Sequence, residues 1–186
     1  MWHFKKLTLM IRYLMIILLT FCLTSCGQTK NENNSKQTKS GLLKVDTSKI
    51  AILPYDKTDK WLFEDCNQTE LTSKDIEDIE TILTKCIAEY NPEQEKQFIE
   101  INSKHPEYKL DRNYFVIDLK RYKRQYIAVI NRKGEKEVWI NCFCGTWSGK
   151  WKVQQIQVKD GGNCFFNLKI NLKTRNYYDF SVNGDA

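Results

Sequence analysis

From Asn113 onward the spacing of apolar residues falls to two, and that change limits what the chain can fold into. Tyr114–Leu119, Gln125–Ile130, Lys136–Cys144, Trp151–Lys159, Cys164–Leu172 and Tyr177–Val182 each alternate as half-buried strands do. The connections Asn131-Arg132-Lys133-Gly134, Gly145–Gly149, Asp160-Gly161-Gly162-Asn163 and Lys173–Asn176 are short and turn-like, which makes the neighbours antiparallel. Such a sheet needs a cover for its apolar face, and one upstream segment has a matching stripe. Ile76, Ile79, Leu83, Cys86 and Tyr90 recur at helical spacing, widened by Ile82 and Ile87. Leu71-Thr72-Ser73-Lys74-Asp75 supplies an N-cap hydroxyl, and Asp75 and Glu77 place acids in the first turn. The pattern predicts a helix over 73–90, ended by Asn91-Pro92. A short second helix at Glu93–Ile101, a loop through His105-Pro106 and a strand at Lys49–Leu53 before Pro54 complete the reading.

The predicted class is α+β: one main amphipathic helix packed on a curved antiparallel sheet of five to six strands. In topology alone this resembles the cystatin-like and nuclear-transport-factor-like (NTF2-like) architectures, a likeness that carries no function. A two-residue loop at Lys133-Gly134 sets Val129 opposite Val138 and Ile127 opposite Ile140. Centring the next loop on Trp147 and the following turn on Gly161 then pairs Val138 with Ile156 and Ile156 with Phe166. One face collects Ile127, Val129, Val138, Ile140, Cys142, Cys144, Ile156, Val158, Cys164, Phe166, Leu168, Ile170 and Leu172. The other collects Tyr126, Ala128, Trp139, Asn141, Phe143, Trp151, Val153, Phe165 and Asn167, less polar than a solvent-facing sheet face normally is. Two readings of that second face stand side by side. Residues 42–63, with Trp61, Leu62 and Phe63, fold over it as a satellite core; or Tyr126, Trp139, Phe143, Trp151 and Phe165, with Trp147 from the strand loop, form an exposed surface for a ligand or partner.

The amino terminus reads as an address. Lys5, Lys6 and Arg12 precede the apolar run Tyr13–Phe21, which is too short to span a bilayer. The run ends in Leu23-Thr24-Ser25-Cys26, which resembles the bacterial lipobox. That resemblance implies a signal peptide over 1–25, a diacylglycerol thioether on Cys26 and an acylated (palmitate-type) new amino terminus, and two or more chains anchor stably. Residues 27–41 contain no aliphatic side chain and read as a flexible tether, followed by a single globular domain over 42–186. Gly27 leaves out the aspartate of inner-membrane retention, and no acidic export cluster follows Cys26. The expected location is therefore the cell envelope at the outer membrane, periplasmic side preferred over the surface.

The formal charge of +6 shrinks on inspection, because removing 1–25 leaves 26 basic against 23 acidic groups, and the tether removes most of that excess. No basic field for nucleic acid survives. Beyond Cys22 and Cys26 five cysteines remain: Cys66, Cys86, Cys142, Cys144 and Cys164. Export permits disulfides, and an odd count leaves at least one thiol free. The expected register places Cys164 on the order of 20 Å along the sheet from Cys142 and Cys144, which argues against a shared thiolate metal site. Buried thiols or one disulfide, with Cys86 or Cys66 as partners, are expected instead. His105 is the only histidine after the signal and sits in a polar loop. Asp118, Glu137 and Asp160 are scattered, so no catalytic residue, metal or cofactor is predicted.

The stretch from Tyr122 to the end, through Arg124-Gln125-Tyr126-Ile127, Gly134–Cys144 and Asp160–Phe166, resembles small lipoproteins of Bacteroidota. The resemblance implies an envelope location and no particular activity. The chain is expected to be a lipid-anchored binding or inhibitory module, of which an immunity protein against an exported toxin is one form. Its partners would be the membrane, through the anchor, and a protein or small ligand. A passive structural lipoprotein and, behind it, a small enzyme pairing His105 with a cysteine are the alternatives.

Overall fold

A computed structural model describes residues 45–184. The signal peptide, Cys26 and the tether lie outside the described residues. Within them the class is the predicted one, α+β, with one long helix packed on a six-stranded, mostly antiparallel open sheet. The strands are β1 (Ile50–Ile52), β2 (Asn67–Gln68), β3 (Lys123–Ile130), β4 (Lys136–Phe143), β5 (Phe165–Asn171) and β6 (Asn176–Val182). Their order is β1-β3-β4-β5-β6; β1 runs parallel to β3, and β2 pairs antiparallel with the same strand. Among the described residues no helix is long and apolar enough to cross a membrane.

The helix α1 runs from Ser73 to Lys104, well past the predicted end. Its start is a reciprocal cap: Thr72 Oγ1 accepts from Asp75 N, and the Asp75 carboxylate accepts from Thr72 N. Pro92 lies inside the helix, although it has no N–H to give and ordinarily breaks the ladder. Tertiary bonds on both sides of it outweigh that loss. Asn91 Nδ2 donates to Ile117 O and its Oδ1 accepts from Ile117 N, each at 2.9 Å. Arg112 pairs with Glu95, and the Phe98 and Phe115 rings lie 5.5 Å apart. The predicted second helix at 93–101 is thus the far end of the first.

Three strand expectations fail for local reasons. Tyr114–Leu119 is not a strand but a path between two 3₁₀ turns, each capped by an aspartate: Asp111 accepts from Asn113 N and Asp118 from Lys120 N. Trp151–Lys159 is a 3₁₀ turn followed by irregular chain, so β4 pairs directly with β5, and Val138 faces Ile170 rather than Ile156. The β3–β4 register is shifted by one residue, with Ala128 opposite Val138 and Tyr126 opposite Ile140. The loop holds three residues, not two. Asn131 N donates to Glu135 O, Asn131 Oδ1 accepts from Lys133 N and Glu135 N, and Gly134 takes the left-handed φ of +75° that closes it.

That slip exchanges the faces of β3. Tyr126 and Ala128 join Val138, Ile140, Cys142, Phe166, Leu168 and Ile170 beneath Ile79, Ile82, Leu83, Cys86 and Ile87 of α1. Ile127 and Val129 turn to the far side, where they pack with Trp139, Phe143, Trp151, Leu53, Tyr55, Leu62 and Phe63. Ile156 packs on that side too. The second face is a second core, as the satellite reading expects, except that Trp61 stands outside it at 58% exposure.

Candidate functional site

The cover of the second face comes from two distant segments. One follows β1: Leu53 N donates to Tyr126 O, and Tyr55 Oη donates to Phe63 O at 2.7 Å, folding the 53–66 stretch back on itself. The other is the flap between β4 and β5, closed at its base by a Cys144–Cys164 disulfide with Cα atoms 5.0 Å apart. The expected separation of these two cysteines is therefore overturned. It assumed a strand between them in the sheet, whereas the chain leaves the sheet at Cys144 and re-enters beside it, with Cys144 N donating to Cys164 O at 2.9 Å.

A row of amides holds the flap down. Gln125, Asn141 and Asn167 lie opposite one another across β3, β4 and β5 on the flap side. Gln125, fully buried, donates through Nε2 to Trp151 O and Gln154 O and accepts through Oε1 from Ile156 N and Asn141 Nδ2. Asn141 Nδ2 also donates to Ile156 O at 2.7 Å. Irregular chain crossing a sheet has backbone groups to satisfy, and these two side chains satisfy them. Asn167, the third in the row, makes no side-chain hydrogen bond with another described residue.

Where the row ends, a cleft of about 390 Å³ opens between the flap and the 53–66 cover. Trp61 and Trp139, edge to face with centroids 5.6 Å apart, form one wall with Phe165. Asn141, Asn167, Asn183, Gln155 and Gln157 supply amides, and among the described residues Lys159 is the one cation and no carboxylate lines the cleft. Gln155 is on the lining, but its Nε2 is buried out of reach of solvent, without a hydrogen-bond partner among the described residues.

The six residues expected to form an exposed aromatic surface are placed as follows. Tyr126 is buried on the helix side, its hydroxyl donating to Glu80 Oε1; burial, and then the Glu80 charge, hold its pKa well above the ordinary value. Phe143 and Trp151 are buried in the second core, while Trp147 and Phe165 are partly buried and packed edge to face. Trp139 is buried too, but lines the cleft with Phe165. The continuous surface is thus corrected to a core with one aromatic margin. Trp61 belongs to that margin, and a three-residue apolar run, Trp61-Leu62-Phe63, gives no period by which to tell which of its members stays outside the core.

A larger cleft, about 520 Å³, lies on the helix side between α1 and the 117–121 turn. Its polar groups are already engaged. Arg124, 6% exposed, donates to Tyr122 O and Leu119 O, and its Nε sits 3.0 Å from Glu80 Oε1, near enough for ion pairing though not aligned to donate. Lys49 donates to Lys120 O at 2.6 Å, and Asp118 and Asn91 hold backbone. This arrangement clamps the turn to the helix.

Cys66, Cys86 and Cys142 are free and buried. Burial pushes the Cys86 thiol up to about 11 and raises Cys66 and Cys142 as well, so none is a thiolate at neutral pH. His105 caps the end of α1, exposed, with its Nδ1 3.2 Å from Glu107 and its ring stacked on Tyr108. Among the described residues no three His, Cys, Asp or Glu side chains gather as a metal ion would need. No protein-family model, curated protein or solved structure matches the chain.

Proposed function

We propose that the chain is a lipid-anchored binding module of the cell envelope whose ligand site is the Trp61–Trp139 cleft. The anchor rests on Leu23-Thr24-Ser25-Cys26 and on the polar tether that follows. The binding role rests on one observation. A tryptophan stands more than half exposed over a cleft whose lining carries the Asn167 amide, unbonded to any other described side chain or backbone group. Exposed aromatic area carries a cost in the free protein, and a ligand seated on the ring removes it. A binding role also agrees with the inert thiols and with His105 being held by Glu107 and Tyr108.

The test uses the full chain purified from membranes in mild detergent. Growth on an alkynyl fatty acid labels the wild type and leaves Cys26→Ala unlabelled. A thermal-shift screen across neutral oligosaccharides, peptides, fatty acids and nucleotides finds a stabilising compound whose effect is lost in Trp61→Ala. An unlabelled wild type removes the anchor from the reading. A screen in which no compound depends on Trp61 removes the site.

A further inference from the structure

Resting on that reading, we infer that the ligand of the Trp61–Trp139 cleft is an uncharged carbohydrate. A sugar ring presents two kinds of surface: a face of C–H groups, and a rim of hydroxyls that each donate and accept. The cleft presents a matching pair. Trp61 supplies an exposed ring, held in orientation by its edge-to-face contact with Trp139. On the same lining stands Asn167, whose amide also offers both a donor and an acceptor.

Charge separates this class from the others. Among the described residues Lys159 is the only ionised side chain on the lining and no arginine is present, so a phosphate or nucleotide would lack its usual bidentate partner. A fatty acid would desolvate a wall of amides without pairing them. A neutral hydroxyl needs no counter-charge and pairs with the Asn167 amide, which makes no side-chain hydrogen bond with another described residue. The volume, about 390 Å³, is that of a small-molecule site rather than a flat protein contact.

The amide row explains why the site sits here. Gln125 and Asn141 direct their amides at the flap backbone, and Asn167, next in the row, makes no such bond and lines the cleft. The same residue type that fastens the flap becomes, one strand later, a group open to a ligand.

The experiment is tryptophan-fluorescence titration of the full chain in detergent with maltohexaose, cellohexaose and chitohexaose, repeated by calorimetry. At least one should bind saturably, and Trp61→Ala and Asn167→Ala should each weaken it by about tenfold. Trp61 is exposed and Asn167 makes no side-chain bond, so both variants should keep the wild-type melting temperature. Saccharide binding indifferent to both variants overturns the assignment. So does a screen in which the saccharides are inert while a peptide or other compound binds through Trp61, an outcome that leaves the binding-module reading standing. If no compound of any class depends on Trp61, both fall together.

Discussion

The two faces of the sheet are buried to similar depth by unlike means. On one, a helix lays down a continuous aliphatic stripe, and its backbone satisfies its own hydrogen bonds within the helix. On the other, two stretches of irregular chain cover Trp139, Phe143 and Ile127, and they bring unpaired backbone groups with them. The sheet therefore carries Gln125 and Asn141 on that face and none of their kind beneath α1. Helical cover needs no amide beneath it, and the buried Arg124 on that side meets Glu80 of α1 and the 117–121 turn instead. Looped cover demands amides, and the amides beyond its margin are what make a cleft.

The largest effect should fall on the helix side. Phe166, 1% exposed, packs against the Tyr122 and Phe180 rings, and Phe166→Ala should cost about 3–5 kcal/mol in urea unfolding and lower every probe together. On the flap side the disulfide closes a segment with a sequence separation of 20, so replacing both Cys144 and Cys164 by serine should cost about 3 kcal/mol. Here the loss should be local, with faster hydrogen exchange in residues 145–163 and unchanged protection in α1. Equal acceleration in both would mean that the faces form one cooperative unit, and the contrast drawn above would not hold.

Gln125→Ala sharpens the same point on a smaller scale. It leaves Trp151 O, Gln154 O and Ile156 N without their partner and should cost about 2 kcal/mol, with the flap amides again exchanging first. A change felt mainly in α1 would show that Gln125 serves the sheet and not its cover.

The difference between the faces also explains what the sequence disclosed. The α1 stripe, its Thr72–Asp75 start and the class of fold follow from period and capping, which are local. The face assignment of β3 was not legible, because Tyr126, Ile127, Ala128 and Val129 are all apolar and the strand is buried on both sides. A one-residue slip exchanges one apolar pair for another, and the loop length at Asn131–Glu135 decides it. Trp151–Lys159 alternates like a strand, yet the glycines at 145, 149, 161 and 162 and the cysteines at both ends mark a closed flap. The run through Pro92 depends on Asn91 meeting Ile117, a contact 26 residues distant that no local rule contains. Of the cleft, Trp139, Phe165, Asn141 and Asn167 were assigned to one face correctly, while Trp61 and Gln155 arrive on loops whose paths are tertiary.

The smallest expected effect tests whether the surface of the helix face matters at all. Asp78 on α1 accepts from Lys74, one helical turn earlier, and from Arg175 in the β5–β6 turn at 2.7 Å, and these bonds hold its carboxyl below the ordinary value of 3.8. A depressed folded-state value adds stability that is present above the unfolded value and is lost as pH falls through the folded one. The pair is partly exposed and screened, so its worth should stay under about 1 kcal/mol. Asp78→Asn should therefore change little in acid below the folded value, where the wild-type carboxyl is protonated too, and should be the less stable protein at pH 6 in low salt. Urea midpoints at the two pH values measure that crossing. If the gap persists unchanged into acid, the contribution of Asp78 is helix packing or capping and not the charge link from α1 to the strand turn.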